Sequence, residues 1–295
     1  MTQALRQAGI PFREREPLSR HTTMGVGGEA AVMALPRTSE ELQTTLRIRA
    51  DLDAPHRVLG GGSNLVVADE GLDELVVNTE ALRAVTVGED GTATAEAGAN
   101  LIRTVLECTR AGWRGLESAV GIPGSVGGAA VMNAGAYGFS ISDVMREIVV
   151  FDGDGERTEP PEGWRFRYRG SSIPEGAAVA SVTVRLERDD PAALEQETRA
   201  IAEKRRTSQP GGRNAGCVFK NPAEGHAGRM IDALDLKGLR RGKAVVSPRH
   251  ANFVVNEGGA SAADVLGLID ELRERVRAET GVDLELEVKV WRSRS

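Results

Sequence analysis

Cysteine is almost missing from this chain: Cys108 and Cys217 are the only two in 295 residues, too few for a disulfide scaffold or a structural zinc site. The four histidines, His21, His56, His226 and His250, show no ligand spacing, so no metal centre is expected. No apolar run approaches the roughly 18 residues of a membrane helix, and the opening MTQALRQAGIPFRERE lacks the apolar stretch of a secretory signal. A cytoplasmic protein with no membrane partner is the expectation. An excess of basic charge is missing too: 37 Lys and Arg against 43 Asp and Glu give a net charge of -6. Nucleic acid is therefore not an expected partner, although a local basic pocket can still hold phosphates. Low-complexity tracts and internal repeats are absent, and 40% apolar with 27% charged residues is an ordinary globular balance.

Glycine is what the chain has in excess: 35 residues, where the usual roughly 7% predicts about 21. Much of the surplus sits in two clusters, Gly60-Gly61-Gly62-Ser63-Asn64 and Gly121-Ile122-Pro123-Gly124-Ser125-Val126-Gly127-Gly128. Neither is a Rossmann or Walker A fingerprint, each of which sets its glycines at a helix N-terminus. The first cluster reads as a strand-to-strand turn, and the second as a turn followed by non-helical sequence. Glycine lets backbone approach a ligand closely, and successive N–H groups in a turn make an anion nest, with Ser63, Asn64 and Ser125 adding side-chain donors. One such cluster is as well explained by a tight turn. Two in one half of the chain point to a dinucleotide-sized ligand.

The rest of the pattern mixes hairpins and helices. A capping box at Thr38–Glu41 starts a short helix, Leu82 to Ala97 reads as a hairpin about Glu89-Asp90-Gly91, and Asn100 caps a helix ended by Gly112. Strands are expected near Glu147–Phe151, Ala178–Leu186 and Ala251–Val255, and a helix from Asp190-Pro191 to about Arg206. Ser261 caps a helix stopped by Gly281, and the closing DLELEVKV alternates as a strand, with Leu284, Leu286, Val288 and Val290 on one face. This mixture predicts α+β domains rather than one doubly wound sheet, with a boundary near Gln209–Gly212.

At the level of ordered motifs the chain resembles a known family. The two glycine clusters, Asn133-Ala-Gly-Ala-Tyr-Gly138, Phe166-Arg-Tyr-Arg169, Asn214-Ala-Gly-Cys-Val-Phe-Lys-Asn-Pro222 and Glu285-Leu-Glu-Val288 look like the motif set of the UDP-N-acetylenolpyruvoylglucosamine reductases (MurB type). The short connection from Arg169 to Cys217 is similar to the type II branch. The resemblance implies a two-subdomain FAD-binding unit of the vanillyl-alcohol-oxidase (PCMH) type, residues 1–80 and 81–206, followed by an α+β substrate-binding domain, 207–283, with a strand at 284–295 returning to the first subdomain. It implies non-covalent FAD held by Gly60, Gly61, Gly62, Ser63, Asn64, Gly121, Ile122, Pro123, Gly124, Ser125, Gly127 and Gly128. NADPH is the implied reductant and a nucleotide sugar, UDP-N-acetylglucosamine enolpyruvate, the substrate; the flavin passes hydride to its vinyl carbon, and the product is UDP-N-acetylmuramate. A monomer is expected.

The same resemblance assigns roles to single residues. Arg169 matches the arginine that binds and polarises the substrate carboxylate, a bidentate task suited to a planar guanidinium. Glu287 matches the terminal acid; alternation alone does not separate it from Glu285, and the family pattern, with the acid directly before Val288, selects it. Cys217 stands where family members carry a serine that protonates the α-carbon, and a thiol with a reference pKa of about 8.5 is still mostly protonated at pH 7. Tyr168, Lys220 and Asn221 are expected on the substrate or its diphosphate. His250, beside a strand, is expected to be structural, as are Arg205 and Arg206 at a helix end. Two other readings remain open on the residues: an oxidase or dehydrogenase of small hydroxy acids on the same flavin-binding fold, and a catalytically silent nucleotide-sugar-binding module.

Overall fold

The fold is taken from a computed structural model that describes residues 1–153 and 155–293. The chain divides into two compact units and passes between them at 15/16, 30/31, 61/62, 73/74 and 204/205.

The first unit is organised around an antiparallel five-stranded sheet. Its strand order is β12 (Glu156–Glu159), β11 (Met145–Phe151), β13 (Ala178–Arg185), β7 (Thr92–Glu96), β6 (Val85–Val87). Alternation along β11 and β13 sends Ile148, Val150, Val182 and Val184 into one core, with Val105 and Cys108 of α3 (Leu101–Arg110) and Ala129 and Ala130 of α4 (Val126–Val131). The opposite face buries Phe151, Ala178 and Ala180 against Leu42 and Leu46 of α2 (Ser39–Asp51), with Leu5 of α1 (Thr2–Gln7) in the same cluster. A sheet covered on both faces is a rigid base for the loops at its ends. A four-stranded sheet lies mostly in this unit, in the order β1 (Phe12–Pro17), β2 (Glu29–Ala34), β5 (Leu72–Asn78), β3 (His56–Leu59), with β3 parallel to β5. Two-residue pairs complete it: β8 (Trp113–Arg114) with β14 (Glu187–Arg188), and β9 (Gly135–Ala136) with β10 (Phe139–Ser140).

The second unit carries the antiparallel sheet β15 (Arg213–Asn214), β18 (Val254–Asn256), β17 (Ala244–Val246), β16 (Arg240–Arg241). Val265, Leu268, Ile269, Leu272 and Val276, the apolar stripe of α7 (Ala262–Thr280), share a core with Ala244, Val246 and Val254 of that sheet and with Ala227 and Ile231 of α6 (Ala227–Ala233). The last strand, β19 (Lys289–Trp291), pairs in parallel with β4 (Leu65–Val67), which brings the C-terminal segment back beside Asn64, the last residue of the first glycine cluster. Residues 294 and 295 of the expected returning strand lie outside the described residues.

The expected hairpin, the Asn100, Thr38 and Ser261 caps and the Gly281 stop are all present. At α2 only half of the box closes as read. Thr38 accepts from the Glu41 amide, but the Glu41 carboxylate takes the amide of Arg37 instead, at 2.8 Å. Three expectations need correction. The second glycine cluster does lead into a helix, α4, which Ser125 caps by accepting from the Gly128 amide at 3.3 Å; VGGAAV has poor intrinsic propensity, and burial of Val126, Ala129 and Ala130 overrides it. The strand expected at Ala251–Val255 is β18 from Val254, because Phe253 donates back to His250 and closes a turn. Residues 284–288 keep the expected alternation, with Leu284 and Val288 buried, but only 289–291 form a ladder.

The cap on α7 is unusually complete: Ser261 and Asp264 close a reciprocal box at 3.0 and 3.1 Å, and the Asp69 carboxylate accepts from the amides of Ala262 and Ala263. Ser261→Ala is expected to lower unfolding free energy by about 1 kcal/mol, read as a fall in the urea midpoint at constant m-value.

Candidate active site

In the first unit the two glycine turns touch through bare backbone. A Cβ on Gly60 would stand 2.4 Å from Ser125 Oγ, and one on Gly61 would stand 2.9 Å from Gly124 Cα. The Ser125 hydroxyl, buried in this contact, accepts from the amides of both Gly61 and Gly128 at 3.3 Å. Gly121 and Gly124 have φ of 78° and 119°, conformations open to glycine, and the turn between them is closed by Ile122 donating to Ala119 and Leu101 donating to the Gly124 carbonyl. Gly127 lies so close to Ala97 that a Cβ would stand 2.8 Å from its side chain. The result is two glycine turns packed backbone to backbone and pinned by the Ser125 hydroxyl, a rigid, side-chain-poor surface of the kind a dinucleotide diphosphate can approach closely. Gly62, Ser63 and Asn64 belong to the second unit.

Arg169 and Tyr168 occupy a tight turn of the first unit. Arg167 and Gly170 exchange backbone hydrogen bonds of 2.9 and 3.2 Å, which leaves Arg169 in the left-handed region at φ 56°. That conformation costs a non-glycine residue roughly 1–2 kcal/mol, and an arginine kept there is a candidate for function. Tyr168 is exposed, with the Arg169 guanidinium 4.8 Å from its ring centroid. Beneath the turn the buried Asn133, itself at φ 44°, donates through Nδ2 to the Arg167 carbonyl at 3.1 Å and accepts from the Ser142 amide.

The second unit brings Cys217 and Glu287 together through the backbone. The Glu287 amide donates to the Val218 carbonyl at 2.8 Å, and Phe219 bridges Leu286. On the other flank of Glu287, Asn64 Nδ2 donates to its carbonyl at 3.0 Å while Lys289 donates to the Asn64 carbonyl. The two acids that alternation left equivalent are now distinct: the exposed Glu285 carboxylate pairs with Lys220, and Glu287 is half-buried.

Cys217 also lines a cleft of about 360 Å³ with Asn221, His226, Arg229, Arg249 and His250. Asn221 accepts the Ala227 amide and so helps start α6, while Arg249 is fixed by donating to the carbonyls of Arg206 and Gln209. The guanidinium groups of Arg229 and Arg249 give the cleft the local basic character that net charge does not report. His250 is in the wall of this cleft, a position its place beside a strand did not signal; the basic run Pro248-Arg249-His250 before Asn252 was the available clue. Burial, with Lys237 nearby, pushes the His250 imidazole below its ordinary value against weaker opposing pulls from a backbone hydrogen bond and Asp232. Cys108 has no such role, since burial and the neighbouring Glu107 and Glu117 push its thiol up to about 12.

Comparison with known proteins reads the same two regions. Residues 30–159 match a family described as an FAD binding domain, and residues 208–291 match the UDP-N-acetylenolpyruvoylglucosamine reductase C-terminal domain. A protein of Moorella thermoacetica named UDP-N-acetylenolpyruvoylglucosamine reductase is 44% identical over 97% of this chain and 95% of its own length. This chain belongs to the UDP-N-acetylenolpyruvoylglucosamine reductase family. The crystal structure of the reductase from Thermus caldophilus superposes with a TM-score of 0.83 at 39% identity, covering 96% of this chain and 99% of that one. A glucose dehydrogenase, Phl p 4.0202, shares the flavin-binding fold alone, at TM-score 0.50 and 18% identity over 64% of this chain and 44% of its own. Membership makes the chain an FAD-dependent oxidoreductase and sets aside both the hydroxy-acid oxidase and the silent module.

If bare backbone at the glycine contact is what holds FAD, Gly61→Ala purifies with at most about a tenth of wild-type bound flavin absorbance, because its Cβ meets backbone that cannot yield. Gly211→Ala, with open space around the new methyl, keeps it. For His250, a folded pKa below the unfolded one means stability is whole above the unfolded imidazole range and is lost as pH falls through the folded value. The urea midpoint of the wild type is expected to drop more between pH 7 and pH 5 than that of His250→Gln.

Proposed function

We propose that this enzyme reduces the enol ether of UDP-N-acetylglucosamine enolpyruvate to the lactyl ether of UDP-N-acetylmuramate, a step of peptidoglycan precursor synthesis, with NADPH as reductant. The observation that carries the reading is the 2.8 Å hydrogen bond joining the Glu287 segment to the Cys217 segment at the edge of a basic cleft. A thiol and a carboxyl held on adjoining backbone are an acid pair suited to placing protons on a developing enolate.

FAD, when bound, would supply hydride chemistry, with NADPH as the source of the reducing equivalents. Gly60, Gly61, Gly62, Ser63 and Asn64, with Gly121, Ile122, Pro123, Gly124, Ser125, Gly127 and Gly128, are the residues that would hold FAD, a reading supported by the side-chain-poor contact of the two glycine turns. Arg169 binds the substrate carboxylate through its forked donors and stabilises the charge that builds next to it. Cys217 keeps a proton at Sγ for the α-carbon. Glu287 hydrogen-bonds the enolic carboxylate. Arg229 and Arg249 supply the positive charge a nucleotide diphosphate needs in the cleft, with Asn221 and Tyr168 as further substrate contacts; Lys220 acts through the ion pair it makes with Glu285.

In domain terms, 1–80 and 81–206 serve as the FAD-binding subdomains and 207–283 as the substrate domain, with 284–295 returning to the first. The matched ranges 30–159 and 208–291 support the boundary near 207. The enzyme works as a cytoplasmic monomer on small molecules; the net charge of -6, which offers no overall field attractive to nucleic acid, supports the small-molecule part of this reading. Among the described residues no helix is long and apolar enough to cross a membrane.

The test is anaerobic. NADPH bleaches the flavin absorbance, and addition of the enolpyruvyl nucleotide sugar restores it; bleaching without recovery removes the proposed substrate. Cys217→Ala is expected to suppress the recovery while bleaching stays near normal, and Cys217→Ser to be mild. Loss of both half-reactions together counts against the thiol as proton donor.

A further inference from the structure

The segment that carries Cys217 has no strand on its open side. β18 begins only at Val254, because residues 250–253 are folded into a turn closed by Phe253 donating to His250. The ladder bonds that a strand would offer come instead from Asn252. Its carbonyl accepts the Val218 amide at 2.9 Å; its side-chain Oδ1 accepts the Phe219 amide at 2.9 Å; its Nδ2 donates to the Phe219 carbonyl at 2.8 Å. A carboxamide is a peptide unit on a short stem, so this side chain stands in for the missing strand. Its own amide donates to His250 Nδ1 at 3.2 Å, and the residue is 3% exposed, so its polar groups are spent on this bracket.

The opposite edge of the segment is held by Glu287 and Val288 donating to the Val218 carbonyl and by Lys220 donating to Glu285. Before it, Gly216 at φ 76° donates to Asn214 Oδ1. Cys217 is thus the residue between a left-handed glycine and a doubly clamped Val218-Phe219. Only one clamp depends on a side chain that mutation can remove.

We infer that Asn252 is a positioning residue for Cys217, fixing where the thiol presents its proton without touching substrate itself. The inference rests on the proton-donor reading of Cys217. Removing the amide leaves the Phe219 N–H and C=O without partners in a buried setting, so the segment relaxes to find others. A proton donor displaced by about 1 Å is enough to cost ten- to a hundredfold in rate.

The test uses the FAD-loaded full chain and four variants: Asn252→Ala, Asn252→Asp, Cys217→Ala and the double Asn252→Ala/Cys217→Ala. Stopped flow reads flavin bleaching by NADPH and its recovery on the enolpyruvyl nucleotide sugar, and mass spectrometry reads the rate of iodoacetamide labelling at Cys217. Asn252→Ala is expected to slow recovery about tenfold or more, with bleaching within about twofold of wild type and the Cys217 labelling rate altered at least about threefold. Asn252→Asp keeps the acceptor for Phe219 but sets a carboxylate oxygen against the Phe219 carbonyl, so a loss of recovery at least as large is expected; if the alanine variant does not fold, this variant decides, and wild-type recovery and labelling in it overturn the inference. On the Cys217→Ala background the Asn252 change should add no more than about twofold, since the two act as one unit. A full additional loss on that background, or equal losses in both half-reactions with labelling unchanged, overturns positioning and leaves Asn252 a fold residue. Wild-type recovery in Cys217→Ala, with labelling still altered in Asn252→Ala, upholds the positioning of the thiol and overturns its role as donor.

Discussion

One hydrogen bond, from the Glu287 amide to the Val218 carbonyl, joins the two segments of the second unit that carry Cys217 and Glu287. It ties residues near position 218 to residues near 287, with the whole of α7 in between, and it does so at the backbone, where side-chain rotamers do not blur the geometry. Everything that flanks it has the same purpose. Asn252 secures the far edge of the Cys217 segment, and Asn64 secures the far edge of Glu287 by donating to its carbonyl and accepting from Lys289. Cys217 and Glu287 thus issue from a small patch of four adjoining runs of chain, held across by amides at each step.

The return of the C-terminal segment explains why residues 62–73 fold with the second unit rather than with the strands before them. β4 has no partner in the four-stranded sheet; it is completed by β19 in parallel register, Val66 beside Val290. Burial of Val66 in the α7 core then anchors the turn that contains Asn64. Sequence-distant pairing of this kind is slow to form but firm once made, because each loop closed must be offset by burial on both sides of the pair.

Legibility in the sequence follows the range of the interaction responsible. Thr38, Asn100, Ser261 and Gly281 act within one helical turn, and the hairpin at Glu89–Gly91 within a few residues; all were readable. α4 was not, because its helicity comes from burial of three small apolar side chains and runs against its glycines. The DLELEVKV alternation correctly gave the buried face but overstated the strand, since Leu286 is paired with a single residue, Phe219, rather than with a ladder. At the candidate site, Cys217 and Glu287 are picked out by family resemblance. Asn252 and His250 are not, since their placement follows from a fold-back of residues 250–253 that no local pattern announces.

The first unit shows the same division between rule and exception. Its sheet buries both faces despite register shifts along β11, and four of the unit's positive-φ non-glycine residues, Asn133, Tyr137, Arg165 and Arg169, lie in the stretch from 133 to 169. An arginine or tyrosine in the left-handed region costs roughly 1–2 kcal/mol, and an asparagine less. Glycine at any of them would remove the cost, and the chain, rich in glycine elsewhere, does not use it there. At Asn133 the reason is visible, since the side chain bridges Arg167 and Ser142 and glycine would drop both bonds. At Arg169 a guanidinium is kept where glycine would be more comfortable, and a well-buried sheet is what allows the unit to tolerate it.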